Sequence, residues 1–165
     1  MSPHLPLAIV DIDGVVADVR PRLHHVRRRP KDWEAFFAAA SADPSHHEGI
    51  ALVEALASDH EIVFLTGRPE RLRDDTVAWL ERHGLGHHRL AMRPEGDRRP
   101  AATVKVELLA GLARGRTVGV VVDDDPVVVA ALDAAGYRTI PADWEARSVE
   151  AQATLLDAQE VEGRT

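Results

Sequence analysis

Two apolar stretches of the chain each lead directly into a group of aspartates. Asp11 and Asp13 follow the stretch LAIV, and Asp123 and Asp124 follow TVGVVV. Carboxylates that share a small space repel each other unless a positive charge compensates them. A hard divalent cation with oxygen ligands resolves such a conflict, and Mg²⁺ is the usual one where phosphate is also bound. If the fold brings the two groups together, the sequence predicts a Mg²⁺ site there.

The first aspartate pair suits two different steps of phosphoryl transfer. Asp11, at the end of the first apolar stretch, can attack phosphorus as an ionised carboxylate and form an aspartyl-phosphate. Asp13, two residues further on, can protonate the leaving oxygen and later deprotonate a water molecule. Gly14 allows the chain to bend there. Such a pair also occurs in ordinary turns after strands, so its weight depends on what accompanies it.

Three other features fit the handling of a phosphate. Thr66 and the backbone amides around Gly67, which follow the apolar stretch EIVFL, can bind phosphoryl oxygens. Lys105 lies on a predicted helix, where it can neutralise both Asp11 and the phosphoryl group. Each feature alone is common, but their order along the chain is the one that a phosphoryl-transfer site requires.

Strand and helix patterns alternate along the chain. The predicted strands are 7–10, 61–65, 89–92, 117–122 and 137–140. The predicted helices are 33–40, 48–60, 69–84, 101–115 and 125–136. This alternation favours an α/β fold with a central parallel sheet, in which ligands bind beyond the carboxyl ends of the strands. The acids, the Thr-Gly pair and the lysine are therefore expected at one edge of the sheet.

The connection between the first two strands is longer than a simple crossover needs. We expect its excess, about residues 15–45, to form a small helical cap within a single domain that covers residues 1–165. The most basic stretch of the chain, 20–31, lies in this insertion and includes Arg22. It favours a rim that attracts anions or, equally, a solvated helix face.

Aromatic and histidine side chains complete the candidates. The helical spacing of Trp33, Phe36 and Phe37 favours the core of the cap over the stacking of a base. The histidine pairs at 46–47 and 87–88 are adjacent residues whose side chains point apart, and no acid or thiol stands at ligand spacing. We expect these histidines at the surface rather than in a zinc site.

Four stretches of the sequence together resemble a known superfamily. DIDG, FLTGR, Lys105 and VVDDDP resemble the four motifs of the haloacid dehalogenase (HAD) superfamily of phosphotransferases. The resemblance implies a three-layer Rossmann-like fold with a cap inserted after strand one. In this superfamily a second aspartate in the first motif marks phosphatases rather than dehalogenases. Asp13 supplies it, so hydrolysis of a phosphate ester is the implied reaction.

The same resemblance implies a role for each matched residue. Asp11 would be the nucleophile, Asp13 the general acid/base and Thr66 the hydroxyl that binds phosphate, with Lys105 as the lysine of the third motif. Mg²⁺ would be held by Asp11, Asp123 and Asp124 and by the backbone carbonyl of Asp13.

The similarity is closer to the 3′-phosphatase domain of bacteriophage polynucleotide kinase/phosphatases. In that family an arginine follows the motif-two glycine, as Arg68 follows Gly67, and an arginine-rich loop precedes the lysine. Arg22 stands at the spacing of a further arginine that holds the phosphate. The implied substrate is a phosphorylated nucleotide or the 3′-phosphate end of a nucleic acid.

Some features depart from this pattern and leave alternatives open. Val15 replaces the usual threonine, Ala101 replaces an acid four residues before the lysine, and no GxxxxGK[ST] motif for a kinase occurs. One alternative is a phosphatase of an unrelated small metabolite. Another is a non-catalytic domain that binds Mg²⁺ or a nucleotide and acts as the partner of a separate kinase.

The bulk composition limits the classes of function further. The net charge of −7 disfavours general attraction to nucleic acids or acidic membranes, so an anionic partner needs a local basic patch. The absence of cysteine excludes disulfides, thiolate zinc sites and cysteine nucleophiles. No signal peptide or membrane span is recognisable, and we expect a cytoplasmic protein without a membrane partner.

Overall fold

The structure is a computed structural model, and it describes residues 4–146. The strands are β1 (Leu7–Val10), β2 (Glu61–Pro69), β3 (Arg89–Arg93), β4 (Val118–Asp123) and β5 (Thr139–Pro141). The α-helices are α1 (His24–Arg27), α2 (Trp33–Ala38), α3 (His47–Leu56), α4 (Arg73–Arg82), α5 (Ala101–Leu112) and α6 (Pro126–Ala134). Short 3₁₀ turns at Arg20–Arg22, Ala39–Ala42 and Glu70–Leu72 join them.

The five strands form one parallel sheet in the order β3-β2-β1-β4-β5. β1 lies at its centre, where Val10 pairs with Phe64 of β2 on one side and with Val122 of β4 on the other. Because the strands are parallel, the residues that follow β1, β2 and β4 leave the sheet at the same edge. This is the edge at which the sequence predicts the site.

Helices cover both faces of the sheet, which explains the continuous apolar strands. Ala8 and Val10 point to one face and pack in a cluster with Val53 of α3 and Trp79 of α4. Leu7 and Ile9 point to the other face, where the cluster includes Leu109 of α5 and Leu132 of α6. The structure thus confirms the predicted three-layer α/β fold.

The insertion after β1 has a small apolar core of its own. This third cluster is made of Val19, Leu23, Val26, Trp33, Phe36 and Phe37. The three aromatic rings are at most 5% exposed and lie 5.5–5.8 Å apart between centroids. The preference for aromatic core packing in the cap is therefore confirmed.

The predicted helix at 69–84 begins later than the sequence indicates. Pro69 has φ −69° and ψ 152°, which is extended backbone, and it still pairs with Arg93 of β3. The pairing of β2 with β3 shifts register between Thr66 and Pro69. The α-helix starts only at Arg73, after one 3₁₀ turn. The proline thus ends a strand here, although proline is also common in the first turn of a helix.

Within residues 4–146, none of the helices has both the length and the apolar character needed to cross a membrane.

Candidate active site

The predicted site residues meet at the carboxyl edge of the sheet. Asp11 follows β1, Thr66 and Arg68 lie at the end of β2, and Asp123 closes β4. The buried members of this group are Asp11, Asp13, Arg22, Thr66, Arg68, Lys105, Asp123 and Asp124, none of them more than 6% exposed. The fold therefore places all the charged candidates in one solvent-poor region.

Lys105 reaches this edge from α5, which packs on the neighbouring face. Its Nζ lies 2.8 Å from Oδ2 of Asp11 and 2.7 Å from Oδ2 of Asp123. Burial alone would lower the pKa of Lys105, but these two carboxylates hold it above its usual value. The lysine keeps both contacts although Ala101, one turn earlier, offers no carboxylate.

The two carboxylates that contact this lysine form a group with a third, and the three together suit a divalent cation. One oxygen each of Asp11, Asp123 and Asp124 lies within 4.8 Å of the others. Burial, with a smaller contribution from Asp123, raises the pKa of Asp11 to about 8 against the opposing effect of Lys105. Burial and the same neighbouring acid also raise the pKa of Asp124 well above its usual value. The raised pKa values show that negative charges here repel each other, and a bound cation would compensate this repulsion. Hard oxygen ligands of this kind fit Mg²⁺.

Gly14 makes the close approach of one of these acids possible. It has a positive φ of 78°, and a Cβ at this position would lie 2.1 Å from Oδ2 of Asp124. A side chain would occupy the space in which this carboxylate stands. The glycine after the aspartate pair therefore shapes the cation site as well as the turn.

Asp13 belongs to a second cluster, which contains two buried arginines. Its Oδ1 lies 2.7 Å from a terminal nitrogen of Arg22 and 2.6 Å from one of Arg68. Burial alone would raise the pKa of Asp13, but the charges of Arg68 and Arg22 outweigh it and lower the pKa to about 2. The two aspartates of the first motif thus stand in opposite electrostatic surroundings.

Asp43 completes this second cluster, and sequence reasoning missed it. Arg22 donates from Nε to its Oδ1 at 2.9 Å, and Arg68 lies 3.4 Å from its Oδ2. The indole of Trp79 donates to the backbone oxygen of Asp43 at 2.8 Å, which fixes this part of the insertion on α4. The local sequence SADP contains no signal beyond a single acid before a proline.

Thr66, Gly67 and Arg68 form the turn at the end of β2. The hydroxyl oxygen of Thr66 accepts a hydrogen bond of 3.2 Å from the backbone amide of Arg68. The carbonyl of Gly67 accepts one of 3.0 Å from Nε of Arg93. These bonds hold the turn beside the acids, where its polar groups can meet a phosphate.

The basic stretch divides into an inner and an outer part. Arg22 is 1% exposed and its guanidinium lies 4.1 Å from the centroid of the Phe36 ring. Arg27, Arg28 and Arg29 are exposed on the outer surface of the insertion. The inner arginine reaches the site, and the outer ones fit either of the two interpretations that the sequence left open.

His46 is not at the surface as predicted. It is 6% exposed, and its Nε2 forms a hydrogen bond with Glu145, which also accepts one from the backbone amide of Val19. Asp18 lies close to this pair. The acids are distant from His46 in the sequence, so spacing along the chain could not reveal them. His47 and His87 are exposed and His88 is half-buried.

Comparison with protein families identifies the chain. The family model described as the polynucleotide kinase PNKP phosphatase domain matches residues 6–143. The chain belongs to this family. It is thereby a member of the HAD-type phosphatases, as its four motifs indicate. The comparison with curated proteins found no match.

Solved structures show the same fold at low sequence identity. Two structures of the Pnkp1/Rnl/Hen1 complex, one described as an RNA repair complex, have TM-scores of 0.69 and 0.68 at 21% and 22% identity. They cover 83% of this chain, which spans only 42% and 46% of theirs. A haloacid dehalogenase-like hydrolase of Streptococcus pneumoniae has a TM-score of 0.57 at 12% identity, covering 95% of this chain and 92% of its own.

Proposed function

We propose that this protein is a Mg²⁺-dependent phosphomonoesterase that acts through an aspartyl-phosphate on the 3′-phosphate ends of nucleic acids or on nucleotides. The observation that carries the proposal is the group of three buried carboxylates, Asp11, Asp123 and Asp124, around one lysine. Burying such a group lowers the free energy of unfolding, and groups of this kind are typical of functional sites. The membership in a phosphatase family supports the same reaction.

In the proposed mechanism Asp11 attacks phosphorus, and the bond between phosphorus and the leaving oxygen breaks. Arg22 and Arg68 keep Asp13 ionised before substrate binds, so Asp13 would take up a proton once these arginines turn to the phosphate. It then gives this proton to the leaving oxygen and afterwards takes one from the water that hydrolyses the acyl phosphate. Thr66, the amides near Gly67 and the arginines Arg22 and Arg68 hold the phosphoryl oxygens.

Asp11, Asp123 and Asp124, with the backbone carbonyl of Asp13, would hold Mg²⁺. When bound, the cation neutralises charge that develops on the transferred group. Lys105, which already contacts two of these acids, keeps Asp11 oriented and adds positive charge.

The substrate class is proposed on two grounds. The matched family is described as a phosphatase domain of polynucleotide kinase, and two fold neighbours come from complexes with Rnl and Hen1. The exposed arginines Arg27, Arg28 and Arg29 would attract a phosphate backbone to the insertion.

Hydrolysis of p-nitrophenyl phosphate tests the catalytic part. We expect activity that needs Mg²⁺ and falls at least about a thousandfold in Asp11→Asn, because removal of a nucleophile leaves only residual catalysis. Asp75→Asn, an exposed acid on α4, is the matched control and should retain full activity. Equal inactivity of wild type and Asp11→Asn over a range of metals and pH would refute the proposal.

A substrate panel tests the class of ester. We expect 3′-phosphorylated oligonucleotides to exceed sugar phosphates in kcat/KM by about a hundredfold, since extra contacts of the substrate add binding energy. Equal use of sugar phosphates and oligonucleotides would favour the alternative of a small-metabolite phosphatase.

The non-catalytic alternative draws its support from Val15 and Ala101, which replace residues typical of the family. Absence of turnover in the first experiment, combined with calorimetric binding of Mg²⁺ or a nucleotide, is the result that would favour it.

A further inference from the structure

A cavity of about 230 Å³ opens beside the turn at the end of β2. Gly67 forms part of its wall, so it adjoins the proposed phosphate site at Thr66. The insertion contributes Phe37, the turn after β2 contributes Arg71, and the loop after β3 contributes Arg98. We call it the Phe37–Arg98 cavity.

The walls of the cavity are fixed by a buried arginine. Arg93 is 2% exposed and donates from Nε to the carbonyl of Gly67 at 3.0 Å. The same guanidinium donates to the carbonyls of Asp97 and Arg99 at 3.2 and 2.8 Å. The turn after β2 and the loop after β3 are therefore tied together, and the space between them is a built feature.

The charges around the cavity leave a surplus of positive charge at its mouth. Glu95 pairs with Arg71 at 2.9 Å, and Asp97 pairs with Arg99 at 2.7 Å. Arg98 is exposed and forms no ion pair with an acid of residues 4–146. A guanidinium in this state is available to a ligand with a negative charge.

The interior of the cavity is partly apolar. Phe37 lines it, and Cζ of Arg71 lies 6.0 Å from the centroid of that ring. Because Phe37 is only 3% exposed, a small part of it is available here, and this part and the neighbouring guanidinium groups suit a sugar or base that carries a phosphodiester. The volume lies below the roughly 300–1,000 Å³ of pockets for drug-sized ligands, so one nucleoside is a better fit than several.

We propose that the Phe37–Arg98 cavity binds the 3′-terminal nucleoside of the substrate, with Arg98 on the phosphodiester that joins this nucleoside to its 5′ neighbour. The inference rests on the proposed function, because it needs the 3′-phosphate at Asp11. It defines the substrate as a 3′-phosphorylated chain of at least two nucleotides. Arg98 is then a residue that determines specificity through the second anionic group of the substrate.

The test compares substrates that differ only in this second charge. One is a dinucleotide 3′-phosphate, the second is the same compound with an uncharged methylphosphonate linkage, and the third is p-nitrophenyl phosphate. We expect Arg98→Gln to lower kcat/KM for the charged dinucleotide about tenfold, mainly through KM. Its kinetics on the uncharged dinucleotide and on p-nitrophenyl phosphate should not change.

Two control variants make the result specific. Arg98→Lys keeps the charge and should recover most of the loss, although it lacks the planar fork of arginine. Arg114→Gln removes an exposed arginine beyond the far end of α5 and should behave as wild type on all three substrates.

Several results would overturn the inference. An equal loss in Arg98→Gln on charged and uncharged dinucleotides would mean that the arginine supports the loop rather than binding the phosphodiester. A sugar bisphosphate that is hydrolysed faster than the dinucleotide, with the same dependence on Arg98, would assign the second anion to a metabolite. If wild type and Asp11→Asn are equally inert on every substrate, the proposed function itself fails, whereas normal activity with no effect at Arg98 rejects only the cavity assignment.

Discussion

Asp43, together with Asp13, neutralises two arginines that would otherwise face a phosphate with their full charge. Arg22 and Arg68 together meet two carboxylates, those of Asp13 and Asp43, so the buried cluster has no net charge. A phosphoryl group that binds there competes with these carboxylates for the same donors. Asp43 therefore sets how strongly the two arginines attract an anion.

We expect Asp43→Asn to bind inorganic phosphate about three- to tenfold more tightly, because it removes one negative charge next to both arginines. The same change should lower the free energy of unfolding by about 3 kcal/mol, since it leaves a buried arginine with less compensation. Competition by phosphate against p-nitrophenyl phosphate measures the first effect, and urea unfolding measures the second. Weaker binding of phosphate would contradict this account and mean that Asp43 mainly orients Arg22.

At the residue scale the sequence predicts the groups that directly follow strands. Asp11, Thr66 and Asp123 are recognisable because a buried apolar run must end before each of them. Asp43 and Glu145 reach their partners through irregular segments, and no periodicity relates them to the sheet. Their contacts depend on tertiary packing, which local patterns do not encode.

The turn after β1 acts as one element that holds both clusters in place. Gly14 bends with φ 78°, and Gly49 of α3 approaches so closely that a Cβ would lie 1.9 Å from the carbonyl of Val15. The indole of Trp144 donates to the same carbonyl at 2.9 Å. This packing leaves little freedom for the turn that carries Asp13.

We expect Gly14→Ala to weaken Mg²⁺ binding at least about tenfold, because the new methyl group displaces the carboxylate of Asp124. The Mg²⁺ concentration that gives half-maximal activity is the measurement. Gly115→Ala is the matched control, since Gly115 has a similar φ of 68° and a Cβ there meets nothing within 4 Å. If both variants need the same Mg²⁺ as wild type, Gly14 does not shape the cation site.

The insertion depends on its own aromatic core, and Arg22 lies against that core. We expect Phe36→Ala to lower the free energy of unfolding by about 3–5 kcal/mol, the usual cost of removing a buried ring. It should also raise KM for p-nitrophenyl phosphate, because the ring supports the guanidinium of Arg22 from 4.1 Å. Urea unfolding and steady-state kinetics measure the two effects, with the half-exposed Val127→Ala as control. An unchanged KM would mean that the cap core does not influence substrate binding at the site.

At the element scale the sequence predicts the types and order of strands and helices better than their ends. The central strands β1, β2 and β4 are clear because most of their residues are buried on both faces, whereas the edge strands β3 and β5 are more exposed. Pro69 misleads because proline suits the first turn of a helix and the end of a strand equally well. The pairing with β3 decides between these two roles, and pairing is not visible in a local stretch.

The acids at the edge of the sheet couple the stability of the whole molecule to pH and Mg²⁺. Burial and neighbouring acids raise the pKa of Asp11 to about 8 in the protein without metal, from 3.8 in an unfolded chain. Between these values the folded state binds more protons than the unfolded state, so its stability falls as the pH rises. Mg²⁺ replaces the proton, so it should stabilise the protein more at high pH.

We therefore expect the Tm in EDTA to fall from pH 6 to pH 8.5, and the gain in Tm with Mg²⁺ to grow over the same range. Thermal unfolding with and without 5–10 mM Mg²⁺, roughly saturating for such sites, provides the measurement. In Asp11→Asn, which cannot titrate at this position, the fall in EDTA should be smaller. A Mg²⁺ effect that does not depend on pH would argue against protonated acids at the site.

The whole molecule carries a net charge of −7, yet its proposed substrate is a polyanion. The composition alone does not show how these facts agree, but the order of residues does, because Arg27, Arg28 and Arg29 are consecutive and the fold exposes all three on the surface of the insertion. The cytoplasmic location and the extent of the domain beyond residues 4–146 remain predictions.

The depth of the site has a consequence for turnover. Asp11, Thr66 and Arg22 are at most 4% exposed, so little of their surface is open to a phosphate ester while the insertion stays in this arrangement. Binding and product departure would then require the insertion to move, and Arg22 and Asp43, which both lie on it, would part from Asp13 and Arg68. An increase in solvent viscosity should accordingly lower kcat for good substrates, because movement of the insertion rather than bond breaking would then limit the rate.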